Sequence, residues 1–294
     1  MNTDDSEPRI GFRVADGLQI RYAETGGSSS QRIVLTSPWP ESLHAFRRVW
    51  PKLSKTAGLL AIDLPGFGRS ERRTDLLSPL PMSEFIVRLL DEWGISEPHL
   101  VSPDVGTAAA LFAAAKYPGR FRSLVVGTGA SAFPLQVSGL LKDIIEAPNI
   151  DGFRALKPDA LVHGAMEGMG SATPDDDVIA DYIESNSGDR FAESTRYVRS
   201  YPEQLPILRE RLPEILTPVQ IITGRRDPLV PVGNAEYLHE RLSNSRLDIL
   251  DTGHFVWEEA ADQYASLIVE WVSGGYLTGP IEPLIAADGA RTGS

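Results

Sequence analysis

The 294-residue chain contains no cysteine, which excludes disulfide staples, thiolate nucleophiles and cysteine-held metal sites. Histidine is scarce: five in all, so imidazole chemistry has only five candidate positions. Basic residues are outnumbered, with 28 lysines and arginines against 40 aspartates and glutamates, a formal charge of −12. Such a surface repels phosphate backbones and gives no pull toward anionic membranes, so neither nucleic acid nor membrane is expected as a partner. Long apolar runs are missing too. Leu59–Ile62 and Leu124–Val126 fall far short of the ~18 residues that suggest a membrane span. The opening stretch, MNTDDSEPRI, is acidic and does not run from basic to apolar as a secretory signal does, which points to the cytoplasm. What remains is ordinary globular composition, 42% hydrophobic and 23% charged. One large domain, or one domain carrying an insertion, is expected at this length.

Short apolar strands alternate with helical patterns along the chain. Strands are expected at Ile33–Leu35, Leu59–Asp63, His99–Val101, Ser123–Val126, Val219–Thr223 and Arg246–Leu250. Helices are expected at Ser83–Trp93, with Gly94 as its stop, at the alanine-rich Thr107–Lys116 ahead of Pro118, and at Asp262–Val272. That rhythm implies an α/β fold with a mostly parallel sheet covered on both faces. Between Ser131 and Pro213 the strand signal disappears and helical patterns take over. The division that follows is a core of residues 1–130 and 214–276, a helical cap at 131–213 and a C-terminal tail at 277–294. Ser28–Ser30 reads as a loop, and Ile281, Leu284 and Ile285 could dock the tail on the surface. The acidic run Asp175-Asp176-Asp177 reads as a solvated helix start rather than a metal site, and no motif calls for a metal or an organic cofactor.

Three strand ends carry the chemistry. In His99-Leu100-Val101-Ser102-Pro103-Asp104-Val105-Gly106-Thr107 a strand turns sharply into a helix, with small residues that let the two pack closely. A side chain at the apex of such a turn stands at the carboxyl edge of the sheet, beside a helix N-terminus that favours developing negative charge. The apex is Asp104, while Ser102 lies on the strand side and is poorly placed as a nucleophile. On the motif alone, Asp104 reads equally well as the N-cap of the helix. Two further segments favour the chemical reading. Gly224-Arg225-Arg226-Asp227-Pro228-Leu229-Val230-Pro231 puts Asp227 on a proline-braced loop after a strand, where it can orient an imidazole. Asp251-Thr252-Gly253-His254 puts His254 on a loop between a strand and a helix, the best placed of the five histidines. The chain order nucleophile, acid, histidine is that of the hydrolase triad in this architecture.

The chain resembles the α/β-hydrolase fold superfamily over roughly Ile10 to Tyr276, in the branch with an aspartate nucleophile that includes epoxide hydrolases and haloalkane dehalogenases. Asp63-Leu64-Pro65-Gly66-Phe67-Gly68-Arg69-Ser70 matches the superfamily's Asp-x-Pro-Gly-x-Gly-x-Ser turn closely. Ser37-Pro38-Trp39-Pro40 aligns with the oxyanion motif His-Gly-x-Pro but departs from it at the first two residues. The resemblance implies an oxyanion hole built from the backbone N–H groups of Trp39 and Val105, with Trp39–Pro40 a candidate cis bond. It also implies that Asp104 attacks an sp3 carbon to form an ester, that His254 activates water to hydrolyse it, and that Asp227 orients His254.

Leaving groups separate the two activities. Epoxide hydrolases of this type supply a proton from cap tyrosines, and Tyr182, Tyr197 and Tyr201 are the candidates, the last two spaced to share a helix face. Dehalogenases place a tryptophan after the nucleophile, where this chain has Val105, although the Trp39 indole N–H could serve a halide. Epoxide hydrolysis of an apolar small molecule is therefore expected, by a monomer or homodimer. Ester or lactone hydrolysis, dehalogenation and a non-catalytic binding role stand as alternatives.

Overall fold

The computed structural model describes residues 8–25, 31–167 and 169–277. Eight strands form one sheet: β1 (Arg9–Ala15), β2 (Leu18–Glu24), β3 (Arg32–Thr36), β4 (Gly58–Ile62), β5 (His99–Val101), β6 (Ser123–Val126), β7 (Val219–Gly224) and β8 (Ser245–Leu250). Their spatial order is β1-β2-β4-β3-β5-β6-β7-β8. The last six in that order run parallel, and β1 and β2 join antiparallel at one edge. All six strands expected from the sequence are present. β1 and β2 were not expected. Their signal is a hairpin, Asp16-Gly17 between two seven-residue runs, with both turn residues at positive φ. Ile10, Phe12 and Val14 alternate along β1 as in a strand, but their side chains are exposed rather than buried.

The helices are α1 (Trp50–Leu53), α2 (Pro79–Glu92), α3 (Gly106–Lys116), α4 (Gly139–Glu146), α5 (Pro158–Ala165), α6 (Asp176–Ser185), α7 (Arg190–Arg199), α8 (Tyr201–Arg211), α9 (Gly233–Arg241), α10 (Val256–Glu259) and α11 (Ala261–Val272). α2 starts four residues before the expected Ser83 because Pro79 suits the first helical turn, where a missing N–H costs nothing. Successive residues of each parallel strand enter opposite cores. Val34, Leu60, Leu100 and Leu124 pack with α2, α3 and α9, whereas Ile33, Leu35, Leu59 and Val101 pack with α1 and α11. Burial on both faces explains why these strands read as continuous apolar runs.

Between β6 and β7 the described residues hold α4 to α8 and no strand. α6 and α7 are tied to the core by buried ion pairs and hydrogen bonds. Arg21 of β2 grips Asp181 of α6 with both nitrogens, at 2.9 and 2.7 Å. Arg190 of α7 donates to the carbonyls of Gly68 and Ser70 at 2.6 and 2.8 Å. The Asp63–Ser70 turn that receives Arg190 is itself closed around a buried carboxylate: Asp63 accepts the N–H groups of Leu43 and Arg69 at 2.7 and 2.9 Å. Gly68 sits at φ +49°, and a Cβ there would lie 2.0 Å from the Asp63 carboxyl carbon, so only glycine fits. Among the described residues no helix is long and apolar enough to cross a membrane. The Ser28–Ser30 loop, the first seven residues, and residues 278–294 with Ile281, Leu284 and Ile285 lie outside the described residues.

Candidate active site

Asp104 occupies the turn between β5 and α3 at φ +52°, a left-handed conformation that costs most residues energy but that Asp tolerates. The turn is held by backbone bonds from Asp104 N–H to the Gly127 carbonyl (2.9 Å) and from Thr107 N–H to the Asp104 carbonyl (3.0 Å). Close approach of helix to strand is steric fact here, since a Cβ on Gly106 would lie 2.3 Å from Ser102 Oγ and 2.5 Å from Thr36 Oγ1. The N-cap alternative falls: α3 begins at Gly106 with Val105 before it, and the Asp104 carboxylate turns elsewhere. Its Oδ2 accepts the Trp39 N–H at 2.7 Å, and its Oδ1 lies 3.7 Å from His254 Nε2. That second separation is too long for a direct hydrogen bond and suits an ion pair. Ser102 is turned away, its hydroxyl 2.7 Å from that of Thr36.

His254 is 5% exposed, and its Nδ1 lies 2.7 Å from Asp227 Oδ2. Asp227 is fixed in turn, its Oδ1 accepting the N–H groups of Leu229 and Val230 at 2.8 and 2.9 Å. Glu259 holds the histidine loop by accepting the N–H groups on either side of His254, from Gly253 at 2.7 Å and Phe255 at 3.1 Å. Burial alone lowers the imidazole pKa, but the Asp227 charge, its 2.7 Å hydrogen bond and the nearby Asp104 charge outweigh it and carry His254 well above its ordinary value. The two neighbouring carboxylates thus favour the protonated imidazole in the free protein. Because Asp104 supplies part of that shift, neutralising Asp104 must lower the His254 pKa. We expect the imidazole signal followed by NMR to titrate at higher pH in the free protein than in a form whose Asp104 is esterified; equal or inverted values would contradict the electrostatics.

Trp39 and Val105 flank the carboxylate, and the Trp39–Pro40 bond is cis. Among the described residues Trp39 is the backbone donor that reaches Asp104, while Val105 precedes the first turn of α3. The Trp39 indole N–H donates to Ser194 Oγ at 2.9 Å, and its ring stacks on Phe191 at 5.2 Å. An indole engaged in this way is withdrawn from halide binding.

The three tyrosines separate. Tyr201 lines the cavity that also contains Asp104 and His254. Tyr197 lies against it, ring centroids 6.0 Å apart, and donates its hydroxyl to the Val105 carbonyl at 2.8 Å. They do not share one helix as expected. α7 ends at Arg199 and α8 opens at Tyr201, because Pro202 lacks an N–H and its ring would clash with the Val198 carbonyl in a continuous helix. Burial and the nearby Asp104 charge push both phenols well above their ordinary values, for Tyr201 with a further contribution from Tyr197, so both keep their protons. Tyr182 is not brought to the site. It is buried behind it, donating to Glu258 at 3.0 Å.

Several groups were given no role by the sequence reading. Glu41 follows the cis Trp39–Pro40 bond and is wholly buried, its Oε2 accepting the Trp257 indole N–H at 3.0 Å. Burial, then the negative charges of Glu258 and Asp104, push its carboxyl well above the usual range. Glu258 is pushed up to about 7, chiefly by burial. Ser194 and Asn186 carried no local signal, because their partners Trp39 and Pro40 are remote in sequence, whereas Glu259 lies within four to six residues of the N–H groups it accepts. The cavity has a volume of about 790 Å³ and is walled mainly by apolar side chains, among them Leu141, Ile144, Leu161, Phe191 and Phe255. Among the described residues no group of three or more His, Asp or Glu side chains is gathered to hold a metal ion.

Comparison with known proteins agrees with this architecture. Residues 31–143 match the family model of the alpha/beta hydrolase fold. A 2-hydroxy-6-oxononadienedioate/2-hydroxy-6-oxononatrienedioate hydrolase of Burkholderia vietnamiensis is 25% identical, covering 92% of this chain and 98% of its own. The structure of Cfl2 from Burkholderia cenocepacia is similar with a TM-score of 0.80 at 20% identity, covering 92% of this chain and 98% of that one. Epoxide Hydrolase A from Mycobacterium thermoresistibile is similar with a TM-score of 0.74 at 17% identity, covering 91% and 98%. The chain has the alpha/beta hydrolase fold, and the proteins it is similar to include hydrolases.

Proposed function

We propose that the protein hydrolyses an apolar epoxide through an ester on Asp104, with residues 131–213 acting as the cap over the site. The observation that carries this reading is a carboxylate, rather than a hydroxyl, at the strained apex of the turn, facing the cavity and paired with His254. In the first step Asp104 Oδ1 attacks an epoxide carbon and the carbon–oxygen bond breaks. The Tyr201 proton passes to the leaving oxygen, which gives an ester, an alcohol and a tyrosinate. With the Asp104 charge gone, His254 yields its proton to the tyrosinate through solvent and becomes a base. In the second step it removes a proton from water as the oxygen attacks the Asp104 carbonyl. The oxyanion forms on Oδ2, at the N–H groups of Trp39 and Val105, and collapses to release a diol and restore both the carboxylate and the imidazolium.

A single turnover in 18O-water tests the route. The label should appear in Asp104 by peptide mass spectrometry and be absent from the first diol; a labelled diol with unlabelled Asp104 would mean direct attack by water. Styrene oxide should be opened while 1-chlorohexane is not, since the Trp39 indole is occupied by Ser194. Tyr201→Phe should slow ester formation by about 10²-fold, the lower range for a general acid, and leave ester hydrolysis nearly unchanged. Rapid-quench measurement of the ester separates the two steps, and equal slowing of both would remove Tyr201 from the proton-donor role.

A further inference from the structure

The turn that carries the oxyanion donor is held from the far side by the helical insert. The Pro40 carbonyl accepts a hydrogen bond from Nδ2 of Asn186, the C-cap residue of α6, at 2.6 Å. The Trp39 indole N–H donates to Ser194 of α7 at 2.9 Å, and its ring lies flat on Phe191 of the same helix, 8° from parallel. Ser42 donates to Asp181 of α6 at 2.6 Å. Asn186 is fixed by a second bond to the Tyr182 carbonyl at 2.8 Å, and Ser194 by donating to the Phe191 carbonyl at 2.8 Å. Both residues are 3% exposed or less. The helices therefore hold the Trp39 side chain and the Pro40 carbonyl, immediately after the N–H that touches Asp104.

We propose that Asn186 and Ser194 are positioning residues for the Trp39 N–H, so that ester hydrolysis depends on the insert as well as on the triad. The inference rests on the ester route proposed above. The two chemical steps ask opposite things of Trp39. During ester formation Oδ2 loses negative charge, and the N–H bond to it weakens. During ester hydrolysis Oδ2 gains a full charge, and the same N–H must meet it at about 2.7–3.1 Å. A turn released from the insert therefore penalises the second step selectively.

The test uses the full chain with styrene oxide and rapid-quench mass spectrometry of the Asp104 peptide. Asn186→Ala and Ser194→Ala should each slow ester hydrolysis by about tenfold, as expected for a small misplacement, with ester formation changed less than about twofold. The ester then becomes the dominant steady-state species. Ser194→Thr, which keeps the hydroxyl, should restore hydrolysis. Asp177→Ala, which breaks an exposed pair between α6 and Arg47, should change neither step. Ser194→Ala removes one oxygen and keeps the test alive should the Asn186 variant not fold. Unchanged hydrolysis in Ser194→Ala, or equal slowing of both steps, overturns the proposal. Should the unmodified protein form no ester, the reaction scheme fails instead. The positioning claim is then judged by the Trp39 backbone amide resonance, which Ser194→Ala must move and which, if unmoved, refutes it.

Discussion

Asp104→Asn is expected to abolish turnover while leaving the protein folded, with kcat reduced by a factor on the order of 10⁴ or more. Asparagine keeps the shape of the side chain and is among the residues that tolerate the left-handed conformation measured at φ +52°. Alanine would confound the result by adding backbone strain to the loss of the carboxylate. An amide is not a nucleophile toward an sp3 carbon, so no ester forms. The variant also removes one of the two charges that hold the His254 proton, so its imidazole should titrate at lower pH than in the unmodified protein. Thermal unfolding and near-UV circular dichroism check the fold, and steady-state assay checks the activity. Residual turnover within tenfold of the parent would mean that another group attacks the substrate. A folded variant whose His254 titration is unmoved would mean that the two side chains are not coupled as the 3.7 Å separation implies.

The second large effect belongs to His254→Gln. Ester formation needs the carboxylate and a proton donor, and neither is His254. Ester hydrolysis needs a base, and loss of that base should slow it by about 10³-fold. Each protein molecule should consume one equivalent of epoxide and then stall, with the alkyl group retained on the Asp104 peptide. Continuous diol release would exclude His254 as the base. Failure to form any ester would show instead that the imidazolium is needed for attack. Asp227 stays partly satisfied in this variant, because the N–H groups of Leu229 and Val230 still bind its Oδ1.

The two variants touch residues that the sequence made visible, and the reason is physical. Asp104, Asp227 and His254 each sit where a strand with an apolar run ends in glycine or proline, so local pattern and chemical position coincide. The Asp63–Ser70 turn is legible for the same reason: Gly66 and Gly68 both hold positive φ, and the Asp63 carboxylate packs against Gly68. The β1–β2 hairpin was missed although its signal is local, with Ile10, Phe12 and Val14 alternating with Gly11 and Arg13 ahead of the Asp16-Gly17 turn; what the sequence does not show is that these apolar residues face outward. Among the tyrosines, spacing alone could not tell which ring faces the cavity. Pro202 splits the helix between Tyr197 and Tyr201, and the path of α6 takes Tyr182 to Glu258 instead. Glu41, Asn186 and Ser194 are long-range partners, held to Trp257, Pro40 and Trp39 across 216, 146 and 155 residues of chain, and no window on the sequence joins them.

The helices between β6 and β7 divide their labour. α6 and α7 carry the bonds to the core and to the turn bearing Trp39. α4 and α5 contribute much of the apolar wall, through Leu140, Leu141, Ile144 and Leu161, and none of the bonds to Asp104, Asp227 or His254. Much of the apolar wall and the bonds to the Trp39 turn thus lie on separate helices, with Phe191 of α7 belonging to both. Substitutions on α4 and α5 can reshape what is admitted, toward longer or bulkier guests, without retuning the machinery that cleaves them.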